Sequence, residues 1–299
     1  MPAGLDGDDV DAPASGSGAT VYDELVRNAL ELAERAAAVD DHRRLETDEL
    51  LDVVRHGPVL RALFSEPMDR REIEAHLGVS RATSHRLTRW LDEHGLAEKR
   101  DGRFRLTGKG ISFAECVLSF ERKVETSERL APLLDVVCEN HMEFVVEPFA
   151  DATVTTADQA DPYAPVRRFL GLLGGSRTFR GFNTTQMVSF AVAGGESAFD
   201  GVDAEIIYLP EVVEALFEAS PERARDAVDA GHLTLRTREA LPYGLAIFDD
   251  RVGIGGYDED TGAMTVFVDT DTAYAREWAE RTYAAFRADS EPLEPGSGS

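Results

Sequence analysis

The sequence is poor in cysteine, in long apolar runs and in lysine. Its two cysteines, Cys116 and Cys138, are spaced for neither a disulfide framework nor a zinc ribbon, so we expect both to be small buried hydrophobes. No stretch approaches the ~18 consecutive apolar residues of a membrane-spanning helix. The first 18 residues lack the basic start and the apolar run of a signal peptide, so we expect a soluble, cytoplasmic protein with no membrane partner.

Lysine is scarce among the basic residues. Only Lys99, Lys109 and Lys123 accompany 28 arginines, whereas Asp and Glu number 56, and the formal net charge is −25. A surface rich in Asp and Glu and poor in Lys resembles that of proteins from salt-accumulating haloarchaea, where carboxylates keep the surface hydrated. On this interpretation the acidity reflects habitat. Taken over the whole chain, a charge of −25 argues against a nucleic-acid partner, so the local charge must be considered.

Residues 45–110 follow the order helix, helix, turn, helix, hairpin. Asp69, with Glu72 three residues later, is an acidic variant of the capping box that begins the helix before the turn. Ser80 caps the next helix, and Asp101-Gly102 between two short alternating runs is a strong signal for a two-residue hairpin. A helix-turn-helix followed at once by a hairpin is the winged-helix arrangement.

The charge of this block differs in sign from that of the chain. Residues 70–109 contain ten basic and six acidic residues, a net of +4, so the remaining residues carry −29. A local positive face is what neutralisation of DNA phosphates requires. The alternatives are that the module binds another protein, or that its arginines pair with nearby acids. The nine-residue spacing of His76, His85 and His94 does not suit metal ligands on one helix face, so we expect no metal there.

The helix after Ser80 divides into two faces. Ser84, Leu87, Thr88 and Leu91 recur at the three-and-four spacing of an inward face. Base contacts in the major groove are expected from Arg81, Ala82 and His85, and phosphate contacts from Thr83, Arg86, Arg103, Arg105 and Lys109. The predicted DNA-binding set is Ser80, Arg81, Ala82, Thr83, His85, Arg86, Arg89, Arg103, Arg105 and Lys109.

Two resemblances extend this interpretation. The stretch GVSRATSHRLTRWLDEHGLAEK (78–99) resembles the recognition helix and first wing strand of IclR-like and ArsR-like winged-helix repressors, although Ser84 stands where those proteins usually have Val or Ile. Across residues 45–288 the chain resembles haloarchaeal and methanogen regulators that join such a module to a domain like the middle domain of the methanogenesis regulatory protein. The stretches that carry this second resemblance are DPYAPVRRFL (161–170), RGFNTT (180–185) and LPYGLAIFDD (241–250).

Residues 142–288 alternate between strand and helix patterns. Strands are predicted at 143–146, 152–156, 178–181, 204–209, 232–237, 245–249, 251–255 and 263–268. Helices are predicted at 163–173, 211–219, 221–230 and 272–288. The pattern predicts an α/β domain with an antiparallel meander near its end.

The chain as a whole is expected to be α+β or α/β, with an N-terminal winged helix-turn-helix, a linking helix and a C-terminal mixed α/β sensor domain. The predicted segments are a disordered tail (1–19), an amphipathic helix (20–44), the winged helix-turn-helix (45–110), linking or dimerisation helices (111–141), the α/β domain (142–288) and a disordered tail (289–299).

Enzyme signatures are absent from the sequence. Residues 102–109 do not have the spacing of a phosphate loop, and the H-E-x-x-H and G-x-S-x-G patterns do not occur. The glycines at 253–256 lie between two predicted strands, where a dinucleotide fingerprint is not expected. We therefore expect no enzymatic activity and no cofactor.

Polar residues near predicted strand ends indicate an effector pocket. Arginines there would suit a small anionic metabolite, because a guanidinium binds carboxylate or phosphate bidentately. The alternative is that they are surface arginines paired with carboxylates. The predicted lining residues are Arg180, Asn183, Thr184, Arg236, Arg238, Tyr243 and Tyr257. Asp249-Asp250 and Asp258-Glu259-Asp260 resemble cation ligands, yet they fall at predicted hairpin turns, where Asp is favoured, so no metal is expected.

These features predict a homodimeric regulator that binds double-stranded DNA and whose α/β domain (142–288) either responds to a small anionic effector or builds the dimer. The competing hypothesis is an enzyme that acts on a small anionic metabolite and uses the winged helix as an accessory module.

Overall fold

The computed structural model describes residues 46–137, 145–185, 201–219, 231–258 and 261–293. The predictions for the tail at 1–19, the amphipathic helix at 20–44, the helix at 221–230 and the last six residues lie outside the described residues. The contacts of the chain divide it into two units, Met1–Pro58 and Val59–Ser299. In the first unit, helix α1 (Thr47–Arg55) has acidic residues in its first turn and Arg55 in its last, an order that suits the helix dipole.

The predicted helix-turn-helix and wing are confirmed. The elements are α2 (Gly57–Ser65), α3 (Arg70–Leu77), α4 (Arg81–Glu93), β1 (Ala97–Arg100) and β2 (Arg103–Leu106). Asp69 accepts hydrogen bonds from the N–H groups of Arg71 and Glu72, and the Glu72 carboxylate accepts one from the Asp69 N–H, which completes the capping box. The core of the module is built of buried apolar side chains that include Leu60, Ile73, Leu91, Leu96 and Phe104.

The wing is a tight antiparallel hairpin. Asp101 (φ 51°) and Gly102 (φ 83°) both have left-handed backbones, which is the conformation of the two-residue turn that their sequence predicts. The register pairs Arg100 with Arg103 and Glu98 with Arg105, so these four side chains share the outer face of the hairpin. An antiparallel bridge between Met68 and Phe104 joins the hairpin to the segment before α3.

Helix α5 (Gly108–Leu134) buries opposite sides in its two halves. Residues Gly110, Ala114 and Val117 are buried in the first half, and Thr126, Leu130 and Leu133 in the second. Val117 and Thr126 are nine positions apart, which places them on opposite sides of a helix with 3.6 residues per turn. The first half packs against the wing at Leu96, whereas Leu130 and Leu133 belong to a core of the C-terminal domain.

The described strands of the C-terminal domain form one mixed sheet in the order β10-β6-β5-β4-β7-β8-β9-β3. Strands β4, β5 and β6 are parallel, with α7 (Pro210–Ala219) between β5 and β6, whereas β7, β8 and β9 form the predicted antiparallel meander. The strand bounds are β3 (Thr153–Thr156), β4 (Thr178–Asn183), β5 (Asp203–Tyr208), β6 (Leu233–Thr237), β7 (Gly244–Ile247), β8 (Val252–Tyr257), β9 (Met264–Thr270) and β10 (Glu291–Pro292).

Apolar cores cover both faces of this sheet. On one face, Phe182 and Ile254 pack in a cluster with Trp278 of α8 (Ala273–Ala288) and with the end of α5. On the other face, Phe179 and Phe267 pack with Phe169 of α6 (Ala164–Leu173) and with α7. The expected α/β architecture is thus a sheet between two helical layers. Because side chains alternate along a strand, Arg180 and Phe182 of β4 point to the α8 side, and Asn183 points to the opposite side.

Three local predictions are wrong. The disordered tail expected at 289–299 is structured at its start, because Glu291–Pro292 (β10) pairs with Arg236 and Thr237 of β6. A strand was expected at 143–146, but its described residues, 145 and 146, are not in a strand, and a 3₁₀ turn follows at Glu147–Phe149. Pro148 suits the first turn of a helix, because the backbone N–H that proline lacks would have no intrahelical partner at that position. Cys116 was expected to be buried, but it is exposed on α5 beside the buried Val117.

The close approach of α5 to the wing predicts an effect of a single methyl group. A Cβ at Gly110 would overlap the Leu96 carbonyl oxygen, whereas one at Gly108 would meet nothing within 4 Å. We expect Gly110→Ala to lower the free energy of unfolding by about 1–3 kcal/mol, the usual cost of overpacking. Gly108→Ala in the same helical turn is the matched control and should be neutral or slightly stabilising. Denaturant unfolding followed by circular dichroism measures both, and equal stability of the two variants would contradict the prediction.

Candidate functional site

Buried hydroxyl groups hold the recognition helix α4 against α3. Ser84 and Thr88 are fully buried. The Ser84 hydroxyl donates to the Arg70 carbonyl oxygen at 3.2 Å, and the Arg70 guanidinium donates to the Thr88 hydroxyl at 3.2 Å. Thr88 in turn donates to the Ser84 carbonyl oxygen at 3.0 Å. Ser84 stands where the winged-helix repressors that this stretch resembles usually have Val or Ile. In this structure it forms a hydrogen bond between the two helices.

The outward face of α4 carries the predicted base-contacting residues. Arg81, Ala82, His85 and Arg86 are exposed, and within the described part of the chain no hydrogen bond or ion pair engages the side chains of Arg81, His85 or Arg86. Ser80 caps the helix by accepting a hydrogen bond from the Thr83 N–H at 3.2 Å. Two of the predicted DNA-binding side chains, Ser80 and Thr83, therefore also stabilise the start of the helix.

Other members of the predicted DNA-binding set are engaged within the protein. Arg89 is paired with Glu93 at 2.7 Å, and this hydrogen bond raises the pKa of Arg89. Arg103 donates to the Pro67 carbonyl oxygen at 2.7 Å and pairs with Glu72, which ties the wing to the capping box of α3. Lys109 donates to the His94 carbonyl oxygen at 3.0 Å. Of the ten predicted residues, Arg81, His85, Arg86 and Arg105 present exposed side chains for which the described part of the chain provides no such partner.

Two exposed arginines were missing from the predicted set. Arg100 lies on the outer face of the wing opposite Arg103, and Arg71 lies on α3. The signal for Arg100 was available in the sequence, since the Asp101-Gly102 turn fixes the strand register. Arg71 gave no signal, because its position depends on how α3 packs.

The predicted effector residues do not form one site. Strand alternation places Arg180 on the α8 side of the sheet, where it pairs with Glu280 at 2.6 Å. Arg236 donates to the Ser290 hydroxyl at 2.6 Å, and Arg238 lies over the Phe286 ring at 4.4 Å. These three arginines therefore lie on the α8 side of the sheet, each engaged by a partner within the protein, and their role as effector contacts stays a prediction.

The other predicted effector residues do come together. Thr184, Tyr243 and Tyr257 line a cavity of about 250 Å³ between the ends of β4, β7 and β8, and Asn183 lies beside it in contact range of Gly244 and Tyr257. Residues that the sequence did not indicate complete the cavity wall: Val136, Thr185, Leu241, Gly255 and Asp258. Thr185 and Asp258 follow β4 and β8, Gly255 lies within β8, Leu241 precedes β7, and Val136 follows α5.

The remaining motif residues have structural partners. Asp269 of β9 is fully buried and binds two arginines, Arg168 of α6 at 2.8 Å and Arg251 at 2.7 Å. This cluster raises the pKa of Arg168 through its hydrogen bond to Asp269. Asp249 accepts hydrogen bonds from the Thr178 hydroxyl and from the N–H groups of Arg177 and Thr178, which lowers its pKa to about 2. Asp249 thus joins the β7–β8 turn to the start of β4.

Neither a metal site nor a membrane span is found in the described ranges. No group of three or more His, Cys, Asp or Glu side chains in these ranges is arranged to hold an ion. Asp258, which was weighed as a cation ligand, accepts hydrogen bonds from the Thr261 N–H and hydroxyl in its turn. None of the described helices combines the length and the apolar character needed to cross a bilayer.

Two family models match the chain in succession. Residues 44–129 match the model of the HVO_A0261 N-terminal domain, which here covers the winged helix and most of α5. Residues 162–289 match the model described as the middle domain of the methanogenesis regulatory protein FilR1, which here covers the sheet from before α6 to the end of α8. A comparison with curated proteins finds no match.

Solved structures show distant likeness. The archaeal chromatin protein TrmBL2 is 13% identical with a TM-score of 0.37, and the alignment covers 83% of this chain and 100% of that one. The Mycobacterium tuberculosis MarR family protein Rv2887 is 17% identical with a TM-score of 0.25, and coverage is 43% and 91%. The calicheamicin-biosynthesis methyltransferase CalO1 is 19% identical with a TM-score of 0.20, and coverage is 73% and 69%.

The hydrogen bond of Ser84 predicts a measurable contribution to stability. Ser84→Ala removes the donor to the Arg70 carbonyl oxygen inside the helix-turn-helix, so we expect the free energy of unfolding to fall by about 1 kcal/mol. Ser112→Ala, at an exposed position of α5, is the control and should change stability little or raise it slightly. Thermal unfolding of both variants tests this, and a Ser84→Ala variant as stable as wild type would show that the hydrogen bond contributes nothing.

Proposed function

We propose that this chain, whose residues 162–289 belong to the family of the FilR1 middle domain and follow a winged helix, is a DNA-binding transcriptional regulator. The observation that carries the proposal is the exposed face of α4. Arg81, His85 and Arg86 project from the start of a helix that a hydrogen-bonded turn holds in place. Basic side chains in the first turns of such a helix suit the edges and phosphates of a major groove.

The local charge supports the same function. Residues 70–109 carry a net charge of +4 in a chain whose net charge is −25. The surrounding protein therefore repels DNA, whereas this face attracts it. We assign base contacts to Arg81, Ala82 and His85, and phosphate contacts to Arg86 and to the wing residues Arg100 and Arg105.

Arg103 has a different role in this proposal. Its contacts with Pro67 and Glu72 hold the wing against α3, so it positions the neighbouring arginines. Four other members of the predicted set must exchange or share the partners described above in order to reach phosphates: Ser80, Thr83, Arg89 and Lys109. The DNA-binding surface is accordingly concentrated on the first two turns of α4 and on the outer face of the wing.

The regulator is proposed to act as a homodimer. Helix α5 exposes Phe120 (55%) and Val124 (44%) one turn apart on the same side of the helix. Exposed apolar side chains of this size on one helix favour contact with another protein surface. A second copy of the chain is the partner that suits a DNA-binding module, because two-fold symmetry presents two recognition helices to two half-sites.

Substitution of Arg81 and of Arg86 by alanine distinguishes a base contact from a phosphate contact. Arg81→Ala should weaken binding to the chain's own upstream DNA about 5- to 150-fold, the equivalent of about 1–3 kcal/mol, and should reduce the preference over shuffled DNA. Arg86→Ala should weaken binding to both sequences alike. Mobility shifts at fixed KCl measure both effects.

Arg167→Ala is the matched control for that experiment. It removes one exposed arginine of the C-terminal domain, paired with Asp161, and therefore changes the net charge by the same amount. We expect wild-type DNA affinity. If Arg81→Ala and Arg86→Ala also bind like wild type, or if the unchanged protein binds DNA at no salt concentration, the proposed function is wrong.

The distribution of charge also predicts an unusual dependence on salt. Binding to DNA normally weakens steeply with salt because counterions are released from phosphates. Here the net charge of −29 on the residues outside 70–109 repels DNA most strongly in dilute salt. We expect affinity to fall less between dilute and molar KCl than the number of phosphate contacts implies, or to rise. Fluorescence anisotropy across a KCl series measures the slope, and a steep loss would contradict this prediction.

A further inference from the structure

The cavity at the ends of β4 and β8 contains polar atoms that have no partner. In the described ranges, the side-chain amide nitrogen of Asn183 and the hydroxyl groups of Thr185 and Tyr257 are buried and form no hydrogen bond of normal geometry. Asn183 and Tyr257 make a weaker polar contact, which partly offsets the rise in the pKa of Tyr257. Asn183 is fully buried and Tyr257 is 8% exposed. Because an unpaired buried polar group costs free energy, three of them around one cavity are unexpected in a site that serves only packing.

The backbone around the cavity is shaped to bring these atoms together. The side-chain oxygen of Asn183, Oδ1, accepts a hydrogen bond from the Thr184 N–H at 3.0 Å. This bond fixes the side-chain amide and leaves its nitrogen, Nδ2, unpaired. A Cβ at Gly244 would stand 2.9 Å from that oxygen and 3.0 Å from the Tyr257 hydroxyl. A Cβ at Gly255 would stand 2.8 Å from the same hydroxyl. The two glycines therefore make the space in which the Asn183 amide and the Tyr257 hydroxyl lie close together.

The chemistry of the cavity favours an uncharged ligand. Its described wall contains no Lys, Arg or His, and its one carboxylate is that of Asp258. Burial raises the pKa of Tyr257, so its phenol stays protonated and can donate a hydrogen bond. The volume of about 250 Å³ lies just below the ~300–1,000 Å³ of most ligand pockets, and Val136 and Leu241 add an apolar side.

We propose that this cavity binds a small, uncharged molecule whose oxygen atoms accept hydrogen bonds from Asn183, Thr185 and Tyr257. This replaces the anionic effector expected from the sequence. The binding itself does not depend on DNA, whereas a role as an effector rests on the proposed function. Helix α5 provides a physical link for that role, because the Leu133 and Val136 side chains adjoin Gly256 of the cavity wall while Gly110 of the same helix packs on the wing.

The test uses the full chain without DNA, at molar KCl. Glucose and uracil are the uncharged probes, and glucose 6-phosphate and orotate are their anionic counterparts. Binding to the folded state raises the melting temperature by mass action. We expect at least one uncharged probe to raise it in a concentration-dependent way and its anionic counterpart to have a smaller effect or none. An equal or larger effect of the anionic probes, or no effect of either uncharged probe, would overturn the proposal.

Removal of the unpaired hydroxyl distinguishes a ligand contact from a structural one. Tyr257→Phe should raise the melting temperature of the ligand-free protein by about 2–4 °C, because it deletes a buried group that has no partner, and should weaken probe binding about tenfold or more. Thr185→Val should weaken probe binding by a similar factor. Tyr163→Phe, at an exposed tyrosine, is the control and should change neither quantity.

A Tyr257→Phe variant that is less stable and binds the probes normally would assign the hydroxyl a structural role and overturn the proposal. Mobility shifts with and without the probe then report on its role as an effector. If a probe binds but the chain binds no DNA, the proposed function fails and the ligand site stands.

Discussion

The contact between Gly110 and the Leu96 backbone is the constraint on which the arrangement of this protein depends. A hydrogen atom in place of a side chain lets α5 begin directly on the wing, and Thr107 secures the junction by donating to the Gly95 carbonyl oxygen at 2.7 Å and capping the helix at Gly110. From that point α5 runs unbroken to Leu134, and its second half is part of the C-terminal core. A single continuous helix therefore connects the winged helix to the C-terminal sheet domain.

The C-terminal sheet is held together by charged residues at its ends as well as by its apolar cores. Asp269 joins α6 to β9 through Arg168 and receives Arg251 from the start of β8, and Asp249 joins the β7–β8 turn to β4. A buried carboxylate with two guanidinium partners is tolerated because its charge is compensated. Of the arginines that suggested an anion site, Arg180 pairs with the carboxylate of Glu280. Arg236 instead donates to the Ser290 hydroxyl and carbonyl oxygens, and Arg238 lies over the Phe286 ring.

Local signals in the sequence predicted much of the fold. The capping box at Asp69, the cap at Ser80 and the Asp101-Gly102 turn each depend on a few neighbouring residues, and all three occur where they were expected. The inward positions of α4 and the strand-helix alternation after residue 150 follow from periodicity in the same way. Arg180, Arg236 and Arg238 do not join the other predicted effector residues, because they lie on the α8 side of the sheet and Asn183 lies on the opposite side. A position near a strand end does not by itself show which face of the sheet a side chain meets.

By itself, the sequence determined the local geometry of the winged helix and the sign of its charge, because caps, turns and net charge are set by residue type and short spacing. Only the tertiary structure decided which of these arginines form ion pairs within the protein, since pairs such as that of Arg103 with Glu72 join residues 31 positions apart. It also decided that the unpaired groups of Asn183 and Tyr257 meet at one cavity. Strand order brings these residues together, and strand order arises from long-range pairing that no short segment encodes.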